Sequence, residues 1–162
     1  MKSSGDAVAW WLFPLVYLAH PLDERFYGEG TAAWSTAHAG IDFSNDAWLA
    51  VNVASLLVMT IAAWAMDRGR LPAWVALTLA GHLLLHAFMH VAGTLARSSV
   101  FPGVGTSVLI CLPFASFVIA RAWRRFEPRV AIAALALSLA TMQPLYHYLL
   151  DTLRPVILGG GP

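Results

Sequence analysis

The sequence predicts an all-α membrane protein: a five-helix transmembrane bundle with the N-terminus cytoplasmic and the C-terminus external. Three observations lead there. The 162-residue chain is 59% hydrophobic and only 12% charged, with a mean hydropathy of +0.65, whereas soluble domains carry about 45–50% apolar and about 25% charged residues. Its apolar residues fall into five stretches, four of them close to the roughly 20 residues that a helix needs to cross the hydrocarbon core. Basic residues gather in alternate connections between those stretches, as cytoplasmic loops require. A net charge of +1 gives no reason to invoke nucleic acid. The expectation is a single integral domain over residues 1–162, multi-pass in the inner (plasma) membrane, with the lipid bilayer as its main partner.

The expected helices cover residues 7–25, 47–66, 71–96, 104–123 and 130–150. The first is purely apolar only from Ala7 to Ala19, so spanning carries His20, Asp23 and Glu24 to the edge of the bilayer. Lys2 and the short apolar run also resemble a signal peptide, but Tyr17 breaks the small-x-small cleavage preference and Asp6 sits in the n-region. The reading is therefore an uncleaved first helix, with a kink or restarted turn at His20-Pro21. A short helix lying on the membrane is expected within residues 27–45. Gly69-Arg70-Leu71-Pro72 and Phe126-Glu127-Pro128 read as cytoplasmic turns, and the tail 155–162, with its glycine run, as disordered. Cys111 is the only cysteine, so an intrachain disulfide is excluded.

Strict alternation places Lys2, Arg68, Arg70, Arg121, Arg124, Arg125 and Arg129 on one side, and only Arg25, Arg97 and Arg154 on the other. Trp10, Trp11, Trp48, Trp64, Trp74 and Trp123 lie near the helix ends, as an interfacial aromatic belt does. With that orientation, the polar residues converge. His20, Asp23 and Glu24 fall at the external end of the first helix, and Asp46 and Asn52 near the external start of the second. On the third helix, His82 is near mid-membrane, His86 and His90 lie further out, and Arg97 is at the rim. His147 and Asp151 fall at the external end of the fifth. Ionisable groups at membrane depth are costly and mark sites of ion handling or chemistry.

Spacing narrows the set. His20, Asp23 and Glu24 stand at i, i+3 and i+4, on one helix face. His82, His86 and His90 form a stripe, but His82 and His90 are roughly 12 Å apart along the axis. One ion cannot hold all three, and His86 and His90 match the carboxylates in depth.

These residues carry a resemblance. His20-Pro-Leu-Asp23-Glu24, the opening Asp46 to Asn52 of the second helix, and His90 followed by Arg97 and Phe101-Pro102-Gly103 resemble the membrane proteins named for an HXXEE motif. Asp23 stands where that motif has its first Glu, and Phe101 directly precedes Pro102 where the family has a spacer. The resemblance covers about helices one to four and implies an architecture and a site, not a reaction.

The expected site thus has His20, Asp23, Glu24, His86 and His90 as metal ligands, with Asp23, Glu24 and His90 also as acid–base groups. Asn52, Arg97, His147 and Asp151 are secondary candidates. An imidazole–carboxylate set suits a divalent transition metal such as zinc, iron or manganese. The first reading is a metal-dependent membrane enzyme acting on a lipid-like or small hydrophobic substrate. A metal-free acid–base isomerase, cyclase or epoxide-opening enzyme is the alternative. A third reading is metal or proton binding in transport or sensing, against which stands the lack of a visible inverted half. Each cluster also has a plain explanation: solvated caps for His20, Asp23 and Glu24 or for His147 and Asp151, interhelical hydrogen bonds for the histidine stripe, an interfacial contact for His38 and snorkelling for Arg97. The sequence leaves substrate and oligomeric state open.

Overall fold

The computed structural model describes residues 4–40 and 44–141, and every regular element within them is helical. Helix α1 runs Ser4–Phe26 without a break, although Pro14 and Pro21 lie inside it. The expected restart at His20 is absent. Each proline removes one backbone donor, and packing of α1 along α3 carries the helix past both. The short α2, Thr31–Trp34, continues into a π-helical turn, Ser35–Ala39, and closes on Gly40 in the left-handed region.

Helix α3 is Asn45–Asp67 and begins earlier than its apolar pattern because the Ser44 side chain caps it, accepting from the Ala47 N–H at 3.1 Å. Gly69, with φ 68°, turns the chain after α3, and the turn through Pro72 delays α4 to Val75–Arg97. Arg68 and Arg70 lie over the Trp64 ring. Helix α5 is Val104–Trp123. It starts from Gly103, loosens into a π-helical turn at Ser107–Cys111, and regains α geometry from Leu112. Helix α6 is Pro128–Thr141; the remainder of the expected fifth helix, with His147, Asp151 and the tail, lies outside the described residues.

Three of these helices, α3, α4 and α5, are long and apolar enough to cross a membrane. At about 1.5 Å per residue, the 23 residues of α4 reach about 34 Å.

Helix α4 is the central post, packed on both α5 and α6. The main core joins Phe13 and Tyr17 of α1, Met59, Ala62 and Met66 of α3, Ala76, Ala80 and Leu83 of α4, and Ala115 of α5. A smaller cluster of Leu77, Ala122, Ala131 and Ala134 closes the α4–α6 side. Leu15, Leu57, Ile61, Leu109 and Phe117 face outward. Small residues inside and large apolar ones outside are the pattern of helices packed in lipid, where close backbone approach replaces hydrophobic exclusion.

Candidate metal centre

The polar residues gather where the end of α1, the start of α3, the second half of α4 and the start of α5 meet. On α1, His20 and Glu24 are one turn apart and point the same way. On α4, His86 and His90 are likewise one turn apart. The four side chains converge: one donor atom from each of His20, Glu24, His86 and His90 lies within 4.8 Å of the others, a group that could hold a metal ion.

The contacts are closer still. The Nε2 of His20 is 2.8 Å from that of His86 and 3.1 Å from that of His90, and the latter two are 3.3 Å apart. Glu24 Oε1 lies 3.4 Å from His20 Nε2 and 3.2 Å from His90 Nε2. His20 is 1% exposed, Glu24 3% and His90 3%, while His86 is partly open. Polar atoms this enclosed must find partners.

The outer nitrogens settle which atoms face inward. His90 Nδ1 sits 2.7 Å from the Pro102 carbonyl oxygen. That oxygen can only accept, so Nδ1 carries the proton, and a neutral His90 turns the Nε2 lone pair into the site. His20 Nδ1 is 3.0 Å from Thr106 Oγ1. The Thr106 hydroxyl has one proton and two acceptors for it, Asp23 Oδ2 at 2.9 Å and the Gly103 carbonyl at 3.1 Å. With that proton given to the Asp23 carboxylate, the strongest acceptor within reach, its oxygen accepts from His20 Nδ1–H, and His20 also presents its Nε2 lone pair. Glu24 Oε2 accepts from Trp48 Nε1–H at 2.8 Å, leaving Oε1 to face the imidazoles. With His20 and His90 neutral and Glu24 ionised, three acceptors thus meet, and His86 Nε2 is the one atom of the group left to bring them a proton.

The loop between α4 and α5 closes the site. Gly103 has φ 84°, and a Cβ there would lie 2.7 Å from Glu24 Cγ and 2.8 Å from His20 Cε1. Only glycine fits both the backbone and the space. Phe101 packs on His90 with centroids 4.5 Å apart, and Trp34, fully buried, packs on Phe101 at 4.1 Å. Trp34 Nε1 donates to Ser99 Oγ at 3.2 Å, so α2 is fastened over this end of the bundle.

The other expected site residues have different surroundings. Asp23 turns from the four donors to the start of α5, where it accepts from both the N–H and the hydroxyl of Thr106 at 2.9 Å. At i+3 from His20 it falls on the opposite flank of that residue from Glu24, which stands at i+4. Asn52 accepts from Tyr17 Oη at 2.8 Å and donates to the Trp48 carbonyl, joining α1 to α3 one turn from Trp48. Arg97 is in the last turn of α4, two turns beyond His90. His82 is one turn before His86 and outside the donor group. His38 is 3.0 Å from Glu29 Oε1 at the surface. His147 and Asp151 lie outside the described residues.

Sequence reasoning missed Thr106 and the part played by Trp48. Trp48 reads as one more ring of an aromatic belt, yet it is buried against Glu24. Its indirect signal is its place one turn before Asn52.

A family model described as "Protein of unknown function with HXXEE motif" matches residues 11–118. That span holds every residue of the donor group and the loop that closes it. No curated protein and no solved structure matches the chain.

Proposed function

The chain belongs to the HXXEE family, and from that premise we propose that it is a membrane-embedded, metal-dependent enzyme acting on a lipid-like or small hydrophobic substrate. His20, Glu24, His86 and His90 are its ligands, and zinc, iron or manganese is the ion. One observation carries the reading: buried lone pairs of His20, His90 and Glu24 converge while their other polar atoms are bonded elsewhere. A cation at their centre would satisfy such a set. Around a tetrahedral zinc with bonds of about 2.0–2.1 Å, donor atoms stand about 3.4 Å apart. Five of the six donor separations run from 2.8 to 3.4 Å, and the sixth, between His86 and Glu24, is within 4.8 Å.

The ion supplies Lewis-acid chemistry toward a polar group of the substrate. His86, the least enclosed ligand, marks the side of approach. Glu24 and His90, 3.2 Å apart, are the acid–base groups. In this reading the chain crosses the inner membrane five times, N-terminus cytoplasmic and C-terminus external, and the donor group lies in the outer half of the bundle, where a substrate enters from the bilayer.

The test begins with detergent-purified protein, from cells grown with added zinc, iron and manganese, analysed for metals. About one equivalent of one ion per chain is expected, and His86→Ala and Glu24→Gln should each lose it. Incubation of the loaded protein with a total lipid extract, followed by mass spectrometry, should reveal a product that the His86→Ala protein does not form. A metal-free acid–base enzyme is the second reading, favoured by the 2.8 Å approach of His20 and His86, which a shared proton also explains. Metal-free protein with retained turnover supports it.

A further inference from the structure

Two of the three imidazoles are held from outside by the same short stretch of chain. His90 donates to the Pro102 carbonyl and His20 to the Thr106 hydroxyl, so residues 102–106 grip both. Beyond Thr106 stands Asp23, which takes the hydroxyl proton and the backbone N–H together. The result is a line of hydrogen bonds: carboxylate, hydroxyl, imidazole, donor centre.

We infer that Thr106 and Asp23 are positioning residues of the metal centre, and that Asp23 is its second countercharge, making the site neutral for a divalent ion. The inference rests on the metal reading proposed above. Its first support is geometric. Imidazole ligands ordinarily pass their other N–H to a carboxylate, carbonyl or water, which fixes both ring orientation and the nitrogen that binds. Here the partner is a threonine whose own proton is drawn off by a carboxylate, so its oxygen faces His20 as an acceptor.

The second support is charge. A divalent ion among three neutral imidazoles and one carboxylate keeps one uncompensated positive charge in buried surroundings, where that charge is costly. Glu24 contributes one negative charge at the centre and Asp23 another, one hydroxyl away. Asp23 also secures the first turn of α5 through the Thr106 N–H, which keeps the hydroxyl aimed at His20. Asp23 therefore acts on the ion without touching it.

The experiment compares wild-type protein with Thr106→Val, Thr106→Ser and Asp23→Asn, each loaded with Co(II) or Zn(II) and titrated with a competing chelator. Thr106→Val keeps the shape and backbone N–H but loses the hydroxyl; its affinity should fall about 10–100-fold. Asp23→Asn should fall by a similar factor, and Thr106→Ser should stay within about threefold of wild type. The Co(II) visible spectrum should shift in Thr106→Val and not in Thr106→Ser, while thermal unfolding of the metal-free proteins reports folding separately. Wild-type affinity in Thr106→Val, or a Thr106→Ser protein as weak as it, overturns the inference and leaves the metal reading standing. Wild-type protein that takes up neither ion overturns the metal reading and this inference with it.

Discussion

At the residue scale, the site is defined by which atom of each side chain is already committed. Glu24 shows this well, with Oε2 taken by Trp48 and Oε1 left facing His20 and His90. Trp48→Phe removes that donor while keeping most of the ring. A buried acceptor left without its partner costs about 1–3 kcal/mol, so the variant should unfold at lower temperature in detergent. Glu24 should also swing, weakening Zn(II) affinity by about 10-fold or more in chelator competition. An unchanged affinity would show that Trp48 is packing alone. The sequence made His20, Glu24, His86 and His90 legible because helical spacing alone aligns i and i+4. It did not separate Asp23 from Glu24. Both lie near the His20 face, about 60° and 40° to either side, and only the positions of α4 and α5 decide which flank meets the imidazoles. Thr106 was invisible for a similar reason: nothing local distinguishes a hydroxyl that orients a histidine 86 positions away.

At the element scale, apolar length located α3, α4 and α5 to within a few residues, because lipid demands long uninterrupted runs. The ends moved where a cap or turn competed, at Ser44 and at Pro72. The connection between α1 and α3 was legible as a short helix, but not its burial, since Trp34 fits a membrane surface as well as a packed one. Phe101 now joins these elements, seated between Trp34 and His90, and Gly93 of α4 makes room for its ring. A Cβ at Gly93 would collide with Phe101 Cδ2 and come within 3.0 Å of Cε2. Phe101 has little freedom to retreat. Gly93→Ala should therefore destabilise the fold by about 1–3 kcal/mol, read as a lower midpoint of thermal unfolding. It should also loosen the Pro102 carbonyl from His90, seen as faster loss of bound Zn(II) to chelator. Normal stability would mean that the loop moves freely and does not brace the site.

At the scale of the whole molecule, one end of the bundle is polar inside and the opposite end is basic outside. Arg68 and Arg70 follow α3, and Arg121, Arg124 and Arg125 close α5, all at the end away from His20 and Glu24. The proposed orientation, which follows the positive-inside tendency, puts that basic end in the cytoplasm. Cysteine labelling in intact cells checks it, with Cys111 first changed to Ala. Glu29→Cys should react with a membrane-impermeant maleimide from outside, and Glu127→Cys only after permeabilisation. The reverse pattern would invert the topology and put the donor group on the cytoplasmic side.

The claim on which all three scales depend is that the cluster exists to hold an ion. X-ray absorption at the metal edge of zinc-loaded protein tests it most directly. The account predicts about three imidazole nitrogens and one carboxylate oxygen at about 2.0–2.1 Å, with the imidazole signal reduced in His86→Ala. A spectrum without inner-shell imidazole, or one unaltered by that substitution, would contradict it.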